Sequence, residues 1–293
     1  MTNRKAILAI ILSLCVSLGV ALALGQGSIL AWGIPVVMLC WAIAFAIQWI
    51  VFIPSFYYKT EHYFDLTGSL TYLLVIAVAL YSTEGLTSRD LLIAGVIFVW
   101  ALRLGSFLFM RIKKQGKDVR FDHIKQNFWR FLLTWTLQGL WVFLTLAMAL
   151  AAITSEVKPQ LDAMVWLGLA IWVFGFVLEV AADLQKTVFR RDQRNAGQFI
   201  TSGLWSWSRH PNYFGEMILW SGVVVMALPV LSGWQWVALI SPVFVIFLLT
   251  KVSGIDMLEA QGLLRWGDDP NYRAYLARTS KLIPRRPLSI DSA

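Results

Sequence analysis

Apolar residues in this chain gather into long runs separated by short polar stretches. Eight runs stand out, at about 6–24, 31–53, 66–82, 91–110, 131–153, 163–185, 214–230 and 234–250. Each approaches the ~20 residues that a helix needs to cross a hydrocarbon core. The last two are short and meet at Ser232-Gly233, which makes a tight turn. They form either two spans or one re-entrant pair. The expected fold is therefore an all-α, polytopic integral membrane helical bundle of 7–8 transmembrane helices. Residues 1–24 also have the look of a signal peptide, with Arg4-Lys5 ahead of an apolar stretch and Ala21-Leu22-Ala23 behind it. The stretch is long for such a segment and reads as the first span.

Composition agrees with the pattern. Hydrophobic residues make up 58% of the 293 and charged residues 14%, with a mean hydropathy of +0.66. A soluble domain carries about 25% charged residues. The net charge of +8 raises nucleic acid as a partner, but the distribution of that charge argues against it. With the N-terminus placed inside and the loops alternating, 22 of the 25 lysines and arginines fall on the cytoplasmic side. The opposite side receives only Arg89 and Lys158, and Arg103 lies within a span. This is the positive-inside asymmetry, and it puts both termini in the cytoplasm. A multi-pass protein of a bacterial inner membrane is the expected location, with membrane lipids around it. Cys15 and Cys40 fall mid-span and read as small packing residues. No soluble second domain, internal repeat or low-complexity segment is evident.

The chemistry gathers in the segments assigned to the cytoplasm. Glu179, Asp183, Lys186 and Arg190 follow one another at spacings of four, three and four, so they share one helical stripe. An ion-pair ladder that seals the bundle is one reading. The repulsion between two carboxylates a turn apart favours the other, in which a bound hydroxyl such as that of a ribose partners one of them. On the fourth span Trp100, Arg103, Phe107, Arg111 and Lys114 share a stripe. An arginine as deep as Arg103 is expected to face the interior and be paired, although a merely snorkelling residue would fit too. Beyond it Arg111, Lys113, Lys114, Lys117 and Arg120 form a basic loop, which is either a topology determinant or, with Arg120-Phe121-Asp122-His123, a contact for an anion.

The densest cluster is Arg209-His210-Pro211-Asn212-Tyr213-Phe214-Gly215-Glu216. Pro211 suits the first position of a helix, and His210 before it is pushed towards extended geometry. A helix starting there points free N–H groups at the membrane boundary, where Arg209 adds a charge suited to phosphate. Blander roles exist for each residue: Asn212 as a cap, Glu216 as a dipole partner, His210 as a packed imidazole. Trp205, Trp207 and Tyr213 fit an interfacial aromatic belt. The sequence has no G-x-G-x-x-G fingerprint, no Walker A lysine and no metal-ligand spacing. A nucleotide would have to bind between helices and cytoplasmic loops.

The run Gly203-Leu204-Trp205-Ser206-Trp207-Ser208-Arg209-His210-Pro211-Asn212-Tyr213-Phe214-Gly215-Glu216, with Trp220 and Gly222 after it, resembles the signature of the DUF1295 family, which is related to the steroid 5-alpha-reductase C-terminal domain. Phe64-Asp65-Leu66-Thr67-Gly68-Ser69, Trp100 to Gly105, Gly116 to Phe121, Glu179 to Lys186 and the tail from Trp266 to Pro284 are similar to it as well. The resemblance implies three segments: an N-terminal transmembrane hairpin (1–60), a reductase-like membrane domain (61–284) and a short tail (285–293). It also implies a membrane reductase that uses NADPH to reduce an activated carbon–carbon double bond in a lipophilic, steroid- or isoprenoid-like molecule entering from the bilayer. By that resemblance Asp183, Arg190 and Asn212 match positions that hold the dinucleotide, and Glu216 and Tyr275 are similar to residues that line or close the site. Joined with the residues singled out by position and spacing, the candidate cofactor set is Arg103, Arg120, Glu179, Asp183, Lys186, Arg190, Arg209, His210, Asn212, Tyr213 and Tyr275, and no metal site is expected.

The sequence departs from the steroid reductases at their substrate-handling residues. Those enzymes have a glutamine-glutamate pair in an early helix and a tyrosine on the helix matching the fourth span. Here Gln48 lacks an adjacent acid, and Trp100, which cannot protonate an enolate, stands near the tyrosine position. Asp65 and Tyr72, seven residues apart on one face of the third span, are the substitutes, although Asp65 also reads as a helix cap. Glu61 and His62 lie just before them. The catalytic candidates are Asp65, Tyr72 and Glu216. The chain is also similar, in Arg-His-Pro-x-Tyr-x-Gly, to isoprenylcysteine carboxyl methyltransferases, which implies S-adenosylmethionine as the alternative cofactor. A non-enzymatic membrane protein is a third possibility.

Overall fold

A computed structural model of the protein describes residues 1–115, 118, 121–252 and 254–287. Among these the chain forms ten α-helices: α1 (Asn3–Gly25), α2 (Val36–Tyr57), α3 (Phe64–Tyr81), α4 (Ser88–Gln115), α5 (Phe128–Ile153), α6 (Ala163–Arg191), α7 (Pro211–Ala227), α8 (Ile240–Phe247), α9 (Ile255–Trp266) and α10 (Pro270–Arg278). Eight segments are long and apolar enough to cross a membrane. The protein is an all-α polytopic membrane protein, and this count favours eight spans over seven.

Two spans differ in detail from the apolar runs. The second starts at Val36 and not at 31, because Trp32 (φ 52°) and Gly33 (φ 79°) make a left-handed turn between the short strands β1 (Leu30–Ala31) and β2 (Ile34–Pro35). The eighth, Gly233–Trp266, is composite. It opens on a 3-10 turn whose start is fixed by Ser232 and Gln235, with Ser232 N donating to Gln235 Oε1 at 3.1 Å. It then passes through α8 and a π turn at Leu248–Val252 before α9.

The chain divides into two compact units: Met1–Val165 with Met226–Ser241, and Trp166–Val225 with the described residues from Pro242 onward. In the first, α5 is the core element. Its apolar residues run all round the helix, so it is stable only when covered on every side. It packs against α1, α2, α3 and α4, and every residue from Val142 to Ile153 is buried. Asn127 starts it by accepting a hydrogen bond from Arg130 N at 3.1 Å. Phe52, Phe121, Phe131 and Trp135 form one cluster at this end. Deeper in, where lipid-like surroundings give helices little hydrophobic reason to associate, polar cross-helix contacts contribute. Gln48 Nε2 donates to Thr71 Oγ1 at 2.8 Å and Trp49 Nε1 to Thr136 Oγ1 at 3.1 Å.

Three sequence candidates belong to this unit. Asp65 is not a cap: Tyr63 holds that position, and Asp65 sits inside the first turn of α3, its carboxylate 3.5 Å from Arg111 Nη2. Tyr72 is buried, its ring edge-on to Trp100 at 5.1 Å. Arg103 lies 5.3 Å from the Phe107 ring. Arg120 lies outside the described residues.

Candidate functional site

The second unit gathers most of the remaining candidates, and glycine makes that possible. A Cβ on Gly215 would stand 2.6 Å from Glu179 N and 2.7 Å from Gly175 O. One on Gly175 would press on Leu219 N and stand 2.6 Å from Gly215 O, and one on Gly222 would stand 2.6 Å from Gly168 O. The backbones of α6 and α7 therefore touch directly, as small residues permit. This contact sets Glu179 and Asp183 of α6 beside the first two turns of α7.

Pro211 opens α7, as its fixed φ and missing N–H favour. Asn212 turns its amide outward and donates from Nδ2 to Asp183 Oδ1 at 3.2 Å; the side chain bridges two helices instead of capping its own. Glu179, Asp183 and Glu216 are 3%, 7% and 8% exposed. Three buried carboxylates in one unit need partners to remain ionised, and none of the three is without one. Along the α6 stripe Lys186 is half-buried and Arg190 exposed. The charged groups thus run from the buried helix crossing to the solvent-facing end of α6.

The loop from 197 to 210 is anchored onto α6. Gln185 Oε1 accepts from Leu204 N at 2.9 Å, and Gly203 (φ 59°) lets the chain turn against that side chain. Trp205 Nε1 donates to Ala182 O at 3.0 Å, and Lys186 Nζ lies 4.1 Å from the Trp205 ring. Trp205 is thus a buried strut and not part of an aromatic belt, while Trp207 is half exposed. Tyr275 Oη donates to Trp205 O at 2.7 Å, so this tyrosine holds the loop. The tail runs along the same loop: Arg209 N donates to Ser280 O at 2.9 Å and Ser208 Oγ to Leu282 O at 2.7 Å.

The residue that sequence reasoning missed is Glu259 of α9. One oxygen accepts from His210 Nε2 at 2.8 Å and the other lies 3.0 Å from Arg209 Nη1. Arg209 is therefore held by a carboxylate beside α7. The sequence offered only two acids, Asp256 and Glu259, within one turn of a predicted cytoplasmic segment, with nothing to single out Glu259. The His210 ring stacks on Tyr213 with centroids 5.8 Å apart. Burial, the largest influence, pushes the His210 pKa below the usual imidazole value, against the pull of Glu259. The folded state thus favours a neutral ring, with Nε2–H donating to the carboxylate.

A testable consequence is a loss of stability on acidification. A depressed histidine pKa means the unfolded chain binds more protons, so this contribution is complete above about 6.5 and is lost as pH falls below it. The melting temperature of the detergent-solubilised protein is expected to fall between pH 7 and pH 5, and to fall less steeply in His210→Gln. Equal slopes in both proteins would contradict the assignment.

The family described as "Protein of unknown function (DUF1295)" matches residues 48–279. The chain belongs to the DUF1295 family. The helix crossing, the anchored loop and the His210–Glu259 pair all lie within the matched region. Among relatives of this DUF1295 chain, the uncharacterized protein C594.04c of Schizosaccharomyces pombe is 24% identical over 231 residues, covering 68% of the chain and 65% of the yeast protein. The probable O-methyltransferase ustE of Ustilaginoidea virens is 32% identical over 120 residues, covering 34% of the chain and 42% of the fungal protein. The chain thus spans less than two thirds of either relative. No solved structure matches it.

Proposed function

We infer that this protein is a membrane-embedded, NADPH-dependent reductase of an activated carbon–carbon double bond in a lipophilic substrate. The observation that carries this reading is the Asp183–Asn212 hydrogen bond across the glycine contact of α6 and α7, at the mouth of a helix N-terminus. The donor set suits a dinucleotide. Asp183, which the Asn212 amide holds in place, is an acceptor suited to a ribose hydroxyl. Lys186 and Arg190, towards the open end of α6, suit phosphates, including the 2′-phosphate that separates NADPH from NADH. Arg209 and His210, fixed by Glu259, shape the head of α7.

When bound, NADPH supplies the hydride. The protein must then position the double bond, polarise the conjugated carbonyl and deliver one proton to the other carbon. Glu216, one turn along α7 from Asn212, is the proposed group for that proton.

Phosphate binding by side chains near solvent is screened by salt. NADPH is therefore expected to bind the purified protein severalfold more tightly at 20 mM than at 500 mM salt, and Lys186→Ala/Arg190→Ala should flatten that dependence. A salt-independent affinity would contradict the phosphate assignment.

The 32% identity to a probable O-methyltransferase favours a second reading. The same pocket would then hold S-adenosylmethionine, whose ribose suits Asp183 but which carries no phosphate for Lys186 and Arg190.

A further inference from the structure

The first unit brings four connections between spans to one end. Ile29 N donates to Thr154 O at 2.7 Å, Glu156 N to Gly27 O at 3.2 Å and Gln235 Nε2 to Gly27 O at 3.1 Å. Lys158 Nζ lies 2.9 Å from Asp90 at the start of α4. Two of these connections are charged: 82–87 carries Glu84, and 154–162 carries Glu156, Lys158 and Asp162. The other two are not. No charged residue stands between Lys5 and Lys59 or between Glu216 and Lys251, so the β1–β2 hairpin and the 3-10 turn Gly233–Leu239 both lie in uncharged stretches.

The uncharged connections expose their largest side chains. Trp32 is 79% exposed, Trp234 67% and Trp236 49%, and Leu30 and Ile34 are exposed as well. Leu30 pairs with Pro35 and Ala31 with Ile34, so Leu30 and Ile34 point to opposite faces of the hairpin. Apolar groups thus project on both faces and at the tip. A short link between two spans would explain the missing charge, but it does not explain Trp32. Trp32 (φ 52°) and Gly33 (φ 79°) both have left-handed backbone, the geometry of a type I′ turn, for which asparagine-glycine is the favoured pair. A bulky side chain is disfavoured at such an angle, and an indole this exposed contributes little to packing within the chain. What favours tryptophan there lies outside the chain.

We propose that the hairpin and the 3-10 turn form a tryptophan anchor immersed in the membrane interface, while the two charged connections at the same end stay in water. The occupant of this surface is the bilayer. The patch is continuous with α1 and α2, spans that face lipid, and indoles favour the headgroup level. A second copy of the chain is a poorer fit, because a small projection with apolar groups on both faces offers no flat patch towards the ~800 Å² per partner that a stable interface buries. The backbone limits the depth. The outward N–H and C=O groups of a two-stranded hairpin find no partner in hydrocarbon, so it stops where water still reaches. Lacking charge, the anchor is indifferent to headgroup charge.

The test places a nitroxide spin label at Ile34→Cys in the full-length protein, reconstituted in phosphatidylcholine nanodiscs. Cys15→Ala removes the exposed native thiol, and Cys40, which is buried, stays. Collisions with oxygen, which concentrates in hydrocarbon, and with a water-soluble nickel chelate report depth. The oxygen-to-chelate ratio is expected to be severalfold higher at Ile34→Cys than at Glu84→Cys, on a charged connection at the same end, and unchanged when phosphatidylglycerol is mixed in. Trp234→Cys is a second reporter position that leaves the hairpin intact, and should show the same excess over Glu84→Cys. Adding Trp32→Asn should lower the ratio at Ile34→Cys while the melting temperature in detergent stays level or rises, since asparagine suits the turn. A ratio at Ile34→Cys and Trp234→Cys equal to that at Glu84→Cys would put the anchor in water. Protection from both reagents would put it against protein, such as a second copy. Either result overturns the proposal, as does an undiminished ratio in Trp32→Asn.

Discussion

Gly215→Ala is expected to destabilise the protein by about 3 kcal/mol, the upper range for overpacking a tight contact, and to weaken NADPH binding along with it. Helix propensity alone points the other way, since alanine is favoured over glycine in a helix interior by about 1 kcal/mol. Geometry decides the sign. The new Cβ would meet Glu179 N at 2.6 Å and Gly175 O at 2.7 Å, and both are backbone atoms that no rotamer change can move. The helices must separate, and the Asp183–Asn212 bond at 3.2 Å sits on the contact that opens. Gly95 of α4 is the control, because nothing lies within 4 Å of a Cβ there. Gly95→Ala should leave the melting temperature unchanged or raise it slightly. A Gly215→Ala protein that melts with the unsubstituted protein would show that α6 and α7 do not pack backbone to backbone.

The second large effect concerns binding itself. Asp183→Ala and Asn212→Ala are each expected to raise the Kd for NADPH by about 10- to 100-fold, the factor for losing a hydrogen bond to a charged group worth ~1.5–3 kcal/mol. The two losses should not add. Asn212 acts partly by holding Asp183, and residues sharing a hydrogen bond are coupled, so the double variant should bind little worse than Asp183→Ala. Isothermal titration of folded variants checks both statements. Unchanged affinity in both single variants would remove Asp183 and Asn212 from the site.

Much of this architecture was legible because membrane spans declare themselves locally. A run of apolar residues must become a helix, since lipid satisfies no backbone group, so the spans could be read from segment length. The exceptions are equally local: Trp32-Gly33 diverts the chain into a hairpin within an apolar run, and Tyr63 takes the cap position that Asp65 resembled. Pro211 marked the start of α7 correctly because its constraint lies in its own ring.

The relations between side chains were less legible. The stripe of Glu179, Asp183, Lys186 and Arg190 follows from helical spacing, but its gradient from buried to exposed depends on what packs around it. Glu259 lies 49 residues from His210, and nothing in its neighbourhood marks it as the partner of Arg209 and His210. Trp205 read as an interfacial aromatic because composition cannot reveal that its indole N–H meets the Ala182 carbonyl. Likewise Arg89 and Lys158 were only a remainder in the charge count until the fold paired them with Asp162 and Asp90.

The central claim is that the α6–α7 crossing holds a phosphate-bearing dinucleotide. Its most direct test is a thermal-shift titration of the purified protein against NADPH, NADH and S-adenosylmethionine. A ligand at a hundredfold excess over its Kd stabilises the folded state by about 2.7 kcal/mol, enough to raise the melting temperature measurably. The reductase account predicts stabilisation by NADPH at concentrations where NADH and S-adenosylmethionine have little effect. Stabilisation by S-adenosylmethionine with none from NADPH would contradict it and assign the pocket to methyl transfer.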